Sequence, residues 1–336
     1  MTELNTRIEA FIELGKGLQE MPDHEKSHVF HSARYHNQWF TAENMEMALS
    51  GLVFMLQENQ IKKWIEKYEI NNSNPKKVGV IMAGNIPAVG FHDAMCVILS
   101  GNTLHAKLSS DDTFFMKYLL DKLVQSNPAL KEQIVYVDRL NDVDALIATG
   151  SDNSARYFEY YFSKKPHIIR KNRTSIAILD GKETDTDLGN LGKDIFTYFG
   201  LGCRNISKVY VPENYKFDTF FVAIFGFANI INTQKYANNY DYHRAIFLMN
   251  QEQFLDNNFL LIKESKELVS PVGVLYYERY SNTDQLLDAI NTNKEKIQCI
   301  CVREPRGSEV KFGNAQTPNV WDYADGVDTL QFLTNL

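Results

Sequence analysis

A cysteine within a glycine-rich run is the residue of this sequence best suited to chemistry. Phe199–Lys208 reads FGLGCRNISK and leads into the strand-like VYVP. Two glycines just before Cys203 permit a tight backbone turn that leaves the thiol accessible. Nearby dipoles, or the cations Arg204 and Lys208, could activate such a thiol as a nucleophile. A buried structural cysteine in a glycine-rich loop explains the same run, so the run alone leaves both interpretations open.

The elements that must hold this turn follow an alternation of strands and helices. Apolar periodicity predicts helices through residues 1 to 70, and the turn chemistry of residues 71–77 ends them. From Val78 to residue 180 the chain carries strand-like runs with helix-length spacers between several of them. The five runs are VGVIM, TLHAKL, IVYV, ALIAT and TSIAIL. This pattern is typical of a parallel, doubly wound sheet.

A polar, glycine-rich stretch at residues 180–192 separates a second region with the same alternation. For that region we predict a helix from Leu191, a strand at Lys208–Val211, a helix from Phe217, and strands at AIFLM, VGVLYYERY and IQCICV. The predicted fold class is therefore α/β, with two doubly wound α/β domains that contain parallel sheets. The predicted domains are residues 1–185, which include the N-terminal helices, and residues 186–336, which include the cysteine and a C-terminal tail.

Composition excludes several classes of function. The chain has 336 residues, of which 44% are hydrophobic, and this supports a substantial core. Its net charge is -7 and its Lys and Arg residues are scattered, so it lacks the basic stripe that nucleic-acid binding needs. No apolar run reaches about 18 residues, which predicts no membrane span and a cytoplasmic location. The four cysteines form no CxxC pair, and this indicates reduced thiols.

Five short motifs occur in one order along the chain. They are AGNIPA at 83–88, SGNTLHAKLSSDDT at 100–113, ATGSDNSAR at 148–156, the Cys203 run, and ELVSPV at 267–272. In this order they resemble the aldehyde dehydrogenase superfamily, which has an Asn-aromatic-Pro turn, a Gly-Asn strand ending in Lys, a Thr-Gly-Ser turn, a Gly-x-x-Cys loop and a Glu-x-Phe-Gly-Pro-Val segment. Within it, the chain looks most like the bacterial long-chain acyl-CoA reductases, which include the fatty-acid reductase component of bacterial luminescence. The resemblance covers roughly residues 78 to 300 and implies an aldehyde dehydrogenase-like fold.

The resemblance assigns catalytic roles to two residues. It implies that Cys203 is the nucleophile and that the side chain of Asn85 donates an N–H to the developing oxyanion. The backbone N–H of Cys203 would be the second donor, and removing such a donor typically costs about 100- to 1000-fold in rate. Taken without the resemblance, Asn85 is better explained as a helix N-cap ahead of Pro87.

The same resemblance implies a nicotinamide cofactor site in the first domain. Lys107 matches the family lysine at the adenosine ribose, and Ser109 is placed with it. Gly150 and Ser151 match the turn beside the pyrophosphate, and Glu267 matches the glutamate that holds the nicotinamide ribose. A solvated lysine and a surface glutamate are the simpler alternatives for Lys107 and Glu267. No GxGxxG motif is present, as is usual in this superfamily.

The residue that follows the family lysine by three positions bears on cofactor preference. Members that prefer NAD usually carry a glutamate there, whose carboxylate accepts the ribose hydroxyls, whereas this chain has Ser110. A site without that carboxylate repels a 2′-phosphate less. We therefore expect NADPH, with NADH as the alternative.

A missing acid bears on the direction of the reaction. In hydrolytic aldehyde dehydrogenases a Glu-Leu-Gly-Gly-Lys segment supplies the base that activates water. The equivalent residues 168–175 read IIRKNRTS and contain no acid. Thioester chemistry needs no activated water. We therefore expect Cys203 to take an acyl group from acyl-CoA or an acyl-carrier thioester, and hydride transfer from NADPH to release an aldehyde.

Two other functions use the same sequence features. A cysteine-dependent acyltransferase or thioesterase would need Cys203 but no reduction, and a noncatalytic scaffold would keep only the fold. For the reductase, the expected partners are the acyl thioester, a protein that transfers the acyl group, and further copies of the chain in a homo-oligomer. No nucleic-acid partner is expected.

Three further patterns have simple structural explanations. His24–His28 reads HEKSH, a match to the HExxH zinc pattern, but its polar flanks favour a solvated helix N-terminus and no metal site is predicted. His92 lies seven residues after Asn85 and is expected to be a packed or capping residue. The apolar run Phe217–Ile231 is more typical of a core than of a tunnel for a lipid-like substrate.

Overall fold

The computed structural model describes residues 3–70 and 74–336, apart from the side chain of Asp152. The predicted turn at residues 71–77 therefore lies partly outside the described residues. The chain divides into two compact units. Unit 1 comprises Met1–Asn172 together with Pro318–Leu336, and unit 2 comprises Arg173–Thr317.

Unit 1 begins with helices, as the apolar periodicity predicted. They are α1 (Leu4–Gln19), α2 (Asp23–His36), α3 (Ala42–Met55) and α4 (Glu58–Ile65). Phe11, Leu14 and Leu18 of α1 are buried at helical spacing. Gly15 lets α1 approach the end of α3, because a Cβ there would lie 2.7 Å from the Cβ of Leu56.

A five-stranded parallel sheet forms the centre of unit 1. Its strands are β1 (Lys77–Ile81), β2 (Thr103–Lys107), β3 (Ile134–Tyr136), β4 (Ala145–Thr149) and β5 (His167–Arg170), and its helices are α5 (Phe91–Leu99), α6 (Thr113–Ser126) and α7 (Asp152–Phe162). The strand order is β3-β2-β1-β4-β5. The order reverses between β1 and β4, and ligands of open α/β sheets bind at the carboxyl ends of strands at such a switch point.

Unit 2 contains a seven-stranded sheet. Its strands are β6 (Thr174–Ile178), β7 (Ile206–Pro212), β8 (Leu255–Asp256), β9 (Leu261–Glu264), β10 (Val274–Tyr280), β11 (Ile297–Val302) and β12 (Val310–Lys311). Its helices are α8 (Asp185–Phe196), α9 (Asp218–Ala223), α10 (Gln234–Met249) and α11 (Thr283–Thr292). The order is β12-β11-β6-β7-β10-β9-β8, and only the edge pair β8–β9 is antiparallel among the described strands. Side chains alternate between two buried layers, with Val209 in one and Tyr210 in the other.

The predicted fold class is confirmed, since both units are α/β with mainly parallel sheets. Strand membership was partly wrong. TSIAIL forms β6 of the second sheet, and His167–Arg170, which had not been assigned a strand, completes the first. AIFLM is the end of α10 rather than a strand, because a short apolar run does not distinguish the two. Helix α8 starts before Leu191, where Thr184 and Asp187 form a capping box.

The units divide between Asn172 and Arg173 rather than at residues 185 and 186. The reason is that β6 pairs with β7 and β11 and so belongs to the second sheet. The tail Pro318–Leu336, which ends in α12 (Thr329–Thr334), packs with unit 1 instead of the cysteine domain.

Polar side chains of unit 1 hold this tail. The indole Nε1 of Trp64 donates to the Tyr323 hydroxyl at 2.7 Å, and the Tyr68 hydroxyl donates to Asp328 at 2.8 Å. The Nε2 atom of His92 lies 2.7 Å from the Val320 carbonyl oxygen. His92 is thus a packed residue, as expected, and burial lowers its pKa.

A buried ion pair connects the tail to the sheet of unit 1. Nη1 of Arg170, at the end of β5, donates to Oδ2 of Asp93 at 2.5 Å, and Nη2 donates to Oγ1 of Thr329 at 2.9 Å. The exposed fractions of the Arg170 and Asp93 side chains are only 5% and 9%. Removing one member of such a pair leaves an uncompensated buried charge.

We expect Asp93→Ala to lower the free energy of unfolding of unit 1 by about 3 to 5 kcal/mol. All three tryptophans, Trp39, Trp64 and Trp321, lie in unit 1, so urea unfolding followed by tryptophan fluorescence measures the change. Glu58→Ala is the matched control, because the Glu58–Lys62 pair is exposed and screened by solvent and should contribute little to stability. Equal effects of the two substitutions would contradict the prediction.

Candidate active site

The turn that carries Cys203 connects α8 to β7. The Asn205 N–H donates to the Gly202 carbonyl at 3.0 Å, which places Cys203 at the second position of a four-residue turn. Before the turn, Tyr198, Phe199 and Gly200 have positive φ angles of 53°, 57° and 79°. The chain therefore reverses direction sharply after α8, and glycine at position 200 meets the need for a left-handed residue.

The thiol of Cys203 differs from the other three in accessibility. Cys203 is partly exposed, whereas Cys96, Cys299 and Cys301 are buried. The arrangement favours the accessible thiol over the buried structural cysteine that the sequence had left open.

Buried Asn205 connects the turn to the end of α8. Its amide Nδ2 donates to the carbonyl oxygens of Asp194 at 3.0 Å and Thr197 at 2.7 Å, and its Oδ1 accepts from the Gly202 N–H at 2.8 Å. These carbonyls belong to the helix end, where intrahelical donors are lacking. Asn205 therefore satisfies the helix end and fixes the turn at once, a role that the sequence did not reveal.

A second anchor holds the other side of the turn. Ser175 of β6 is fully buried, and its hydroxyl donates to the Cys203 carbonyl at 3.0 Å. Arg204 and Lys208, the two cations that the sequence suggested as activators of the thiol, make different contacts. Nε of Arg204 donates to the Ala315 carbonyl at 2.5 Å, whereas Lys208 is buried in an ion pair with Glu278 and is not available to the thiol.

Asp194 of α8 fixes the segment on which Arg204 rests. Its carboxylate accepts the N–H groups of Gly313 at 2.6 Å and Ala315 at 3.0 Å. Burial raises the pKa of Asp194 to about 6, and the two N–H donors oppose that shift.

Glu267 lies near the start of β7 in the same unit. The carbonyl oxygens of its neighbours Lys266 and Leu268 accept from the side chains of Lys208 and Ser207 at 3.2 and 2.8 Å. Those two residues lie near the start of β7, the strand that follows the Cys203 turn. The structure thus brings exposed Glu267 to the end of β7 that also carries Cys203.

The apolar run Phe217–Ile231 divides between two environments. Phe217, Phe220 and Ile224 are buried in the core of unit 2, as expected. By contrast, Val222 and Phe225 are 73% and 70% exposed. Part of the run is therefore an apolar surface and not core.

The remaining site residues from the sequence gather at one edge of the unit 1 sheet. Asn85 follows β1, Lys107 is the last residue of β2 and Ser109 lies two residues beyond it. Gly150 and Ser151 follow β4. The carboxyl ends of these adjacent parallel strands meet on both sides of the switch point. Among the side chains that the structure describes, Lys107 has no carboxylate partner.

Close packing at this edge requires glycine. A Cβ on Gly84 would lie 2.6 Å from Oγ of Ser109, and a Cβ on Gly150 would lie 2.9 Å from the Cβ of Ser154. Ser151 is the N-cap of α7, where its hydroxyl accepts from the Ser154 N–H at 3.3 Å. The backbone N–H groups at a helix N-terminus, such as that of α7, favour binding of phosphate groups.

Asn85 is not a helix N-cap. Helix α5 begins at Phe91 with Gly90 as its N-cap, and Asn85 lies exposed in the turn before it. That turn is held from two sides. Nδ2 of Asn37 donates to the Gly84 carbonyl at 3.1 Å, and the N–H of Ala88, which has a φ of 56°, donates to Oδ2 of Asp112 at 2.7 Å. The capping alternative was wrong.

The HEKSH segment lies in the first turns of α2. His24 and His28 are exposed, while Glu25 accepts from the Tyr118 hydroxyl at 2.9 Å and pairs with Lys122 at 2.6 Å. These bonds lower the pKa of Glu25. Within residues 3–70 and 74–336, no group of three or more His, Cys, Asp or Glu side chains could hold a metal ion. None of the helices in those ranges is long and apolar enough to cross a membrane.

Comparison with known proteins identifies relatives of this chain. A family model described as acyl-CoA reductase (LuxC) matches residues 18–224. A long-chain acyl-protein thioester reductase of Aliivibrio fischeri is 22% identical over 268 residues, which are 68% of this chain and 54% of that protein. The chain thus spans about half the length of that relative.

Solved structures of aldehyde dehydrogenases share the fold. The enzyme from Physcomitrella patens, in complex with succinate, has a TM-score of 0.66 at 12% identity and covers 90% of this chain and 73% of its own. The NAD⁺ complex of the enzyme from Mycobacterium tuberculosis has a TM-score of 0.61 at 13% identity, with 90% and 73% covered. The resemblance that the motifs indicated is confirmed.

We expect the buried carboxyl of Asp112 to make unit 1 sensitive to pH. Burial raises the pKa of Asp112 to about 8, although the N–H groups of Ala88 and Met116 oppose the shift. The folded-state pKa of Asp112 lies above its usual value, so the folded state binds the proton more tightly than the unfolded state does. This contribution to the free energy of unfolding is fully present below about pH 4 and is lost as the pH rises through about 8. Asp112→Asn stays neutral, so its stability relative to the wild type should rise by on the order of 3 kcal/mol from pH 5 to pH 8.5.

Urea unfolding at several pH values, followed by tryptophan fluorescence, measures this difference. The neighbouring Asp111 is exposed, so Asp111→Asn makes the same substitution without burial and provides the matched control. A flat pH dependence for Asp112→Asn would show that the carboxyl is ionised in the folded state at neutral pH.

Proposed function

The chain belongs to the acyl-CoA reductase (LuxC) family, and we propose that it reduces an acyl thioester to an aldehyde through an acyl group carried on Cys203. The observation that carries this proposal is the Cys203 turn. It presents a partly exposed thiol on a backbone anchored by Asn205 and Ser175, while the other three cysteines are buried. A nucleophile needs both accessibility and a fixed direction of attack.

In the proposed first step, the Cys203 thiolate attacks the acyl carbon and the carrier thiol leaves with the electron pair of the old thioester bond. Negative charge develops on the acyl oxygen during this attack. The Cys203 backbone N–H and the side-chain amide of Asn85 are proposed to donate to that oxygen. After reduction, the tetrahedral adduct releases the aldehyde and returns the thiolate to Cys203.

The absence of a water-activating acid in the segment 168–175 favours reduction of the acyl group over its hydrolysis. Residues 168–175 contain no carboxylate that could activate water. Without a base for water, the acyl group on Cys203 persists until it is reduced or transferred.

The carboxyl edge of the unit 1 sheet fits a nicotinamide dinucleotide. The N-terminus of α7 offers N–H groups there, the glycines Gly84 and Gly150 allow close packing of the turns, and Lys107 supplies an unpaired cation among the described residues. We propose that Lys107, Ser109, Gly150 and Ser151 hold the dinucleotide and that Glu267 holds the nicotinamide ribose. When bound, the cofactor supplies the hydride.

We propose NADPH as the preferred cofactor and NADH as the weaker one. Ser110, at the position of the family glutamate, carries no charge to repel a 2′-phosphate. One exposed carboxylate remains close by, because Cβ of Asp111 would lie 3.0 Å from a Cβ on Gly84. Asp111 should therefore weaken the preference for NADPH.

We propose that the substrates are long-chain acyl-CoA or acyl-carrier thioesters. We also propose that the protein is cytoplasmic, forms a homo-oligomer and receives acyl groups from a partner protein. The exposed part of the Phe217–Ile231 run supports an apolar substrate. The alternative is a cysteine-dependent acyltransferase or thioesterase, which would release acid or a new ester without consuming a cofactor.

We expect incubation with a long-chain acyl-CoA, without cofactor, to add one acyl group to Cys203. Intact-protein and peptide mass spectrometry would locate it, and addition of NADPH should then remove it with release of aldehyde. Cys203→Ala should lose both signals, whereas Cys96→Ala, which removes a buried thiol of unit 1, should keep them. Release of free acid without NADPH oxidation would instead indicate a thioesterase.

We expect Asp111→Asn to raise the ratio of kcat/KM for NADPH to that for NADH about 5- to 10-fold, because it removes repulsion of the 2′-phosphate. Steady-state kinetics with both cofactors measures the ratio. Glu132→Gln removes the same charge just before β3, at the opposite edge of the sheet, and should leave the ratio unchanged. An unchanged ratio in Asp111→Asn would remove Asp111 from the cofactor site.

A further inference from the structure

Ser175 lies where the unit 2 sheet is interrupted on both sides. The register between β6 and β7 shifts between Ser175 and Ile176, and the register between β11 and β6 shifts between Ile297 and Ile300. Such irregularities re-aim the backbone and occur frequently beside active sites. At this interruption the side chain of Ser175 replaces bonds that a regular ladder would make.

The Ser175 hydroxyl has a complete set of partners. It donates its hydrogen to the Cys203 carbonyl at 3.0 Å, since a carbonyl can only accept. It accepts the Cys299 N–H at 3.1 Å, and Sγ of Cys299 lies 3.0 Å away. Either atom of the Ser175–Cys299 side-chain pair can donate in that contact, so the Cys203 carbonyl, the Cys299 N–H and the Cys299 thiol together surround the hydroxyl.

This bond fixes the direction of the peptide group that follows the nucleophile. In a trans peptide the carbonyl and the next N–H point in opposite directions. The bond from Ser175 draws the Cys203 carbonyl into the sheet, so the Arg204 N–H is directed to the other side of the turn. The negative end of the carbonyl is thereby held at Ser175, and the positive end of the peptide dipole faces the opposite side.

We propose that Ser175 is a positioning residue that makes the Cys203 thiol reactive by holding this peptide group. The proposal rests on the role of Cys203 as the nucleophile. A purely structural hydroxyl would serve the sheet equally well without affecting the thiol. Ser207 on β7 provides the comparison, because its hydroxyl donates to the Leu268 carbonyl at 2.8 Å and bonds the Thr174 hydroxyl at 2.7 Å, and neither of these bonds involves the peptide group of Cys203.

The test is the rate of alkylation of Cys203 by iodoacetamide as a function of pH, with peptide mass spectrometry to assign the site. Removing the bond lets the carbonyl turn towards the thiolate, so Ser175→Ala should slow alkylation at pH 7 by at least about tenfold and raise the pH midpoint. Asp194, Arg204 and Cys299, the titratable groups around the turn, are present in every variant. Ser207→Ala should match the wild type.

A pair of nearly isosteric variants covers the case in which Ser175→Ala does not fold. Ser175→Thr keeps the hydroxyl and should alkylate within about threefold of the wild type, whereas Ser175→Val should be slow. Wild-type rate and midpoint in Ser175→Ala or Ser175→Val would overturn the inference. Alkylation needs no acyl thioester, so a protein that shows the Ser175 effect but is not acylated by acyl-CoA would refute the proposed function and not this inference.

Discussion

The amide of Asn205 is the interaction on which the architecture of unit 2 around the thiol depends. Helix α8 ends in carbonyl groups that lack intrahelical donors, and a helix C-terminus carries partial negative charge. Left open, these carbonyls would disfavour a thiolate on the turn that follows. Asn205, which is 1% exposed, binds the carbonyls and the Gly202 N–H with one side chain. The same side chain therefore terminates helix α8 and holds the turn that presents the nucleophile.

The turns that carry proposed chemistry in the two units are built on a common principle. In unit 2, Asn205 and Ser175 bind backbone groups of the Cys203 turn. In unit 1, Asn37 and Asp112 bind backbone groups of the turn that carries Asn85. In each case buried polar side chains bond the main chain of the turn, and all of them except Asn205, which belongs to the Cys203 turn itself, come from other segments. A turn held in this way keeps its own donor groups in a fixed direction, and fixed donors are what stabilises developing charge.

The sequence carried the fold class because parallel strands buried on both faces are near-continuous apolar runs, as in ALIAT of β4. It also located the Cys203 turn, because the glycines before the cysteine permit backbone conformations that a tight turn requires. It did not reveal that TSIAIL belongs to the second sheet, because strand pairing is a long-range choice that apolar pattern alone does not determine. Nor did it reveal Ser175, Asn205 or Asp112. Their roles depend on which backbone groups lie opposite them, and a single Ser, Asn or Asp has many ordinary uses.

Burial acts differently on the two acids that hold these regions. It raises the pKa of Asp194 to about 6 and that of Asp112 to about 8. At neutral pH, Asp194 is therefore mostly ionised and holds Gly313 and Ala315 by charge-assisted bonds, which are roughly twice as strong as neutral ones. Asp112 is mostly protonated and holds Ala88 by a weaker, neutral bond. It follows that the segment on which Arg204 rests is held by charge-assisted bonds, whereas the bond from Asp112 to the turn of Asn85 is a neutral one.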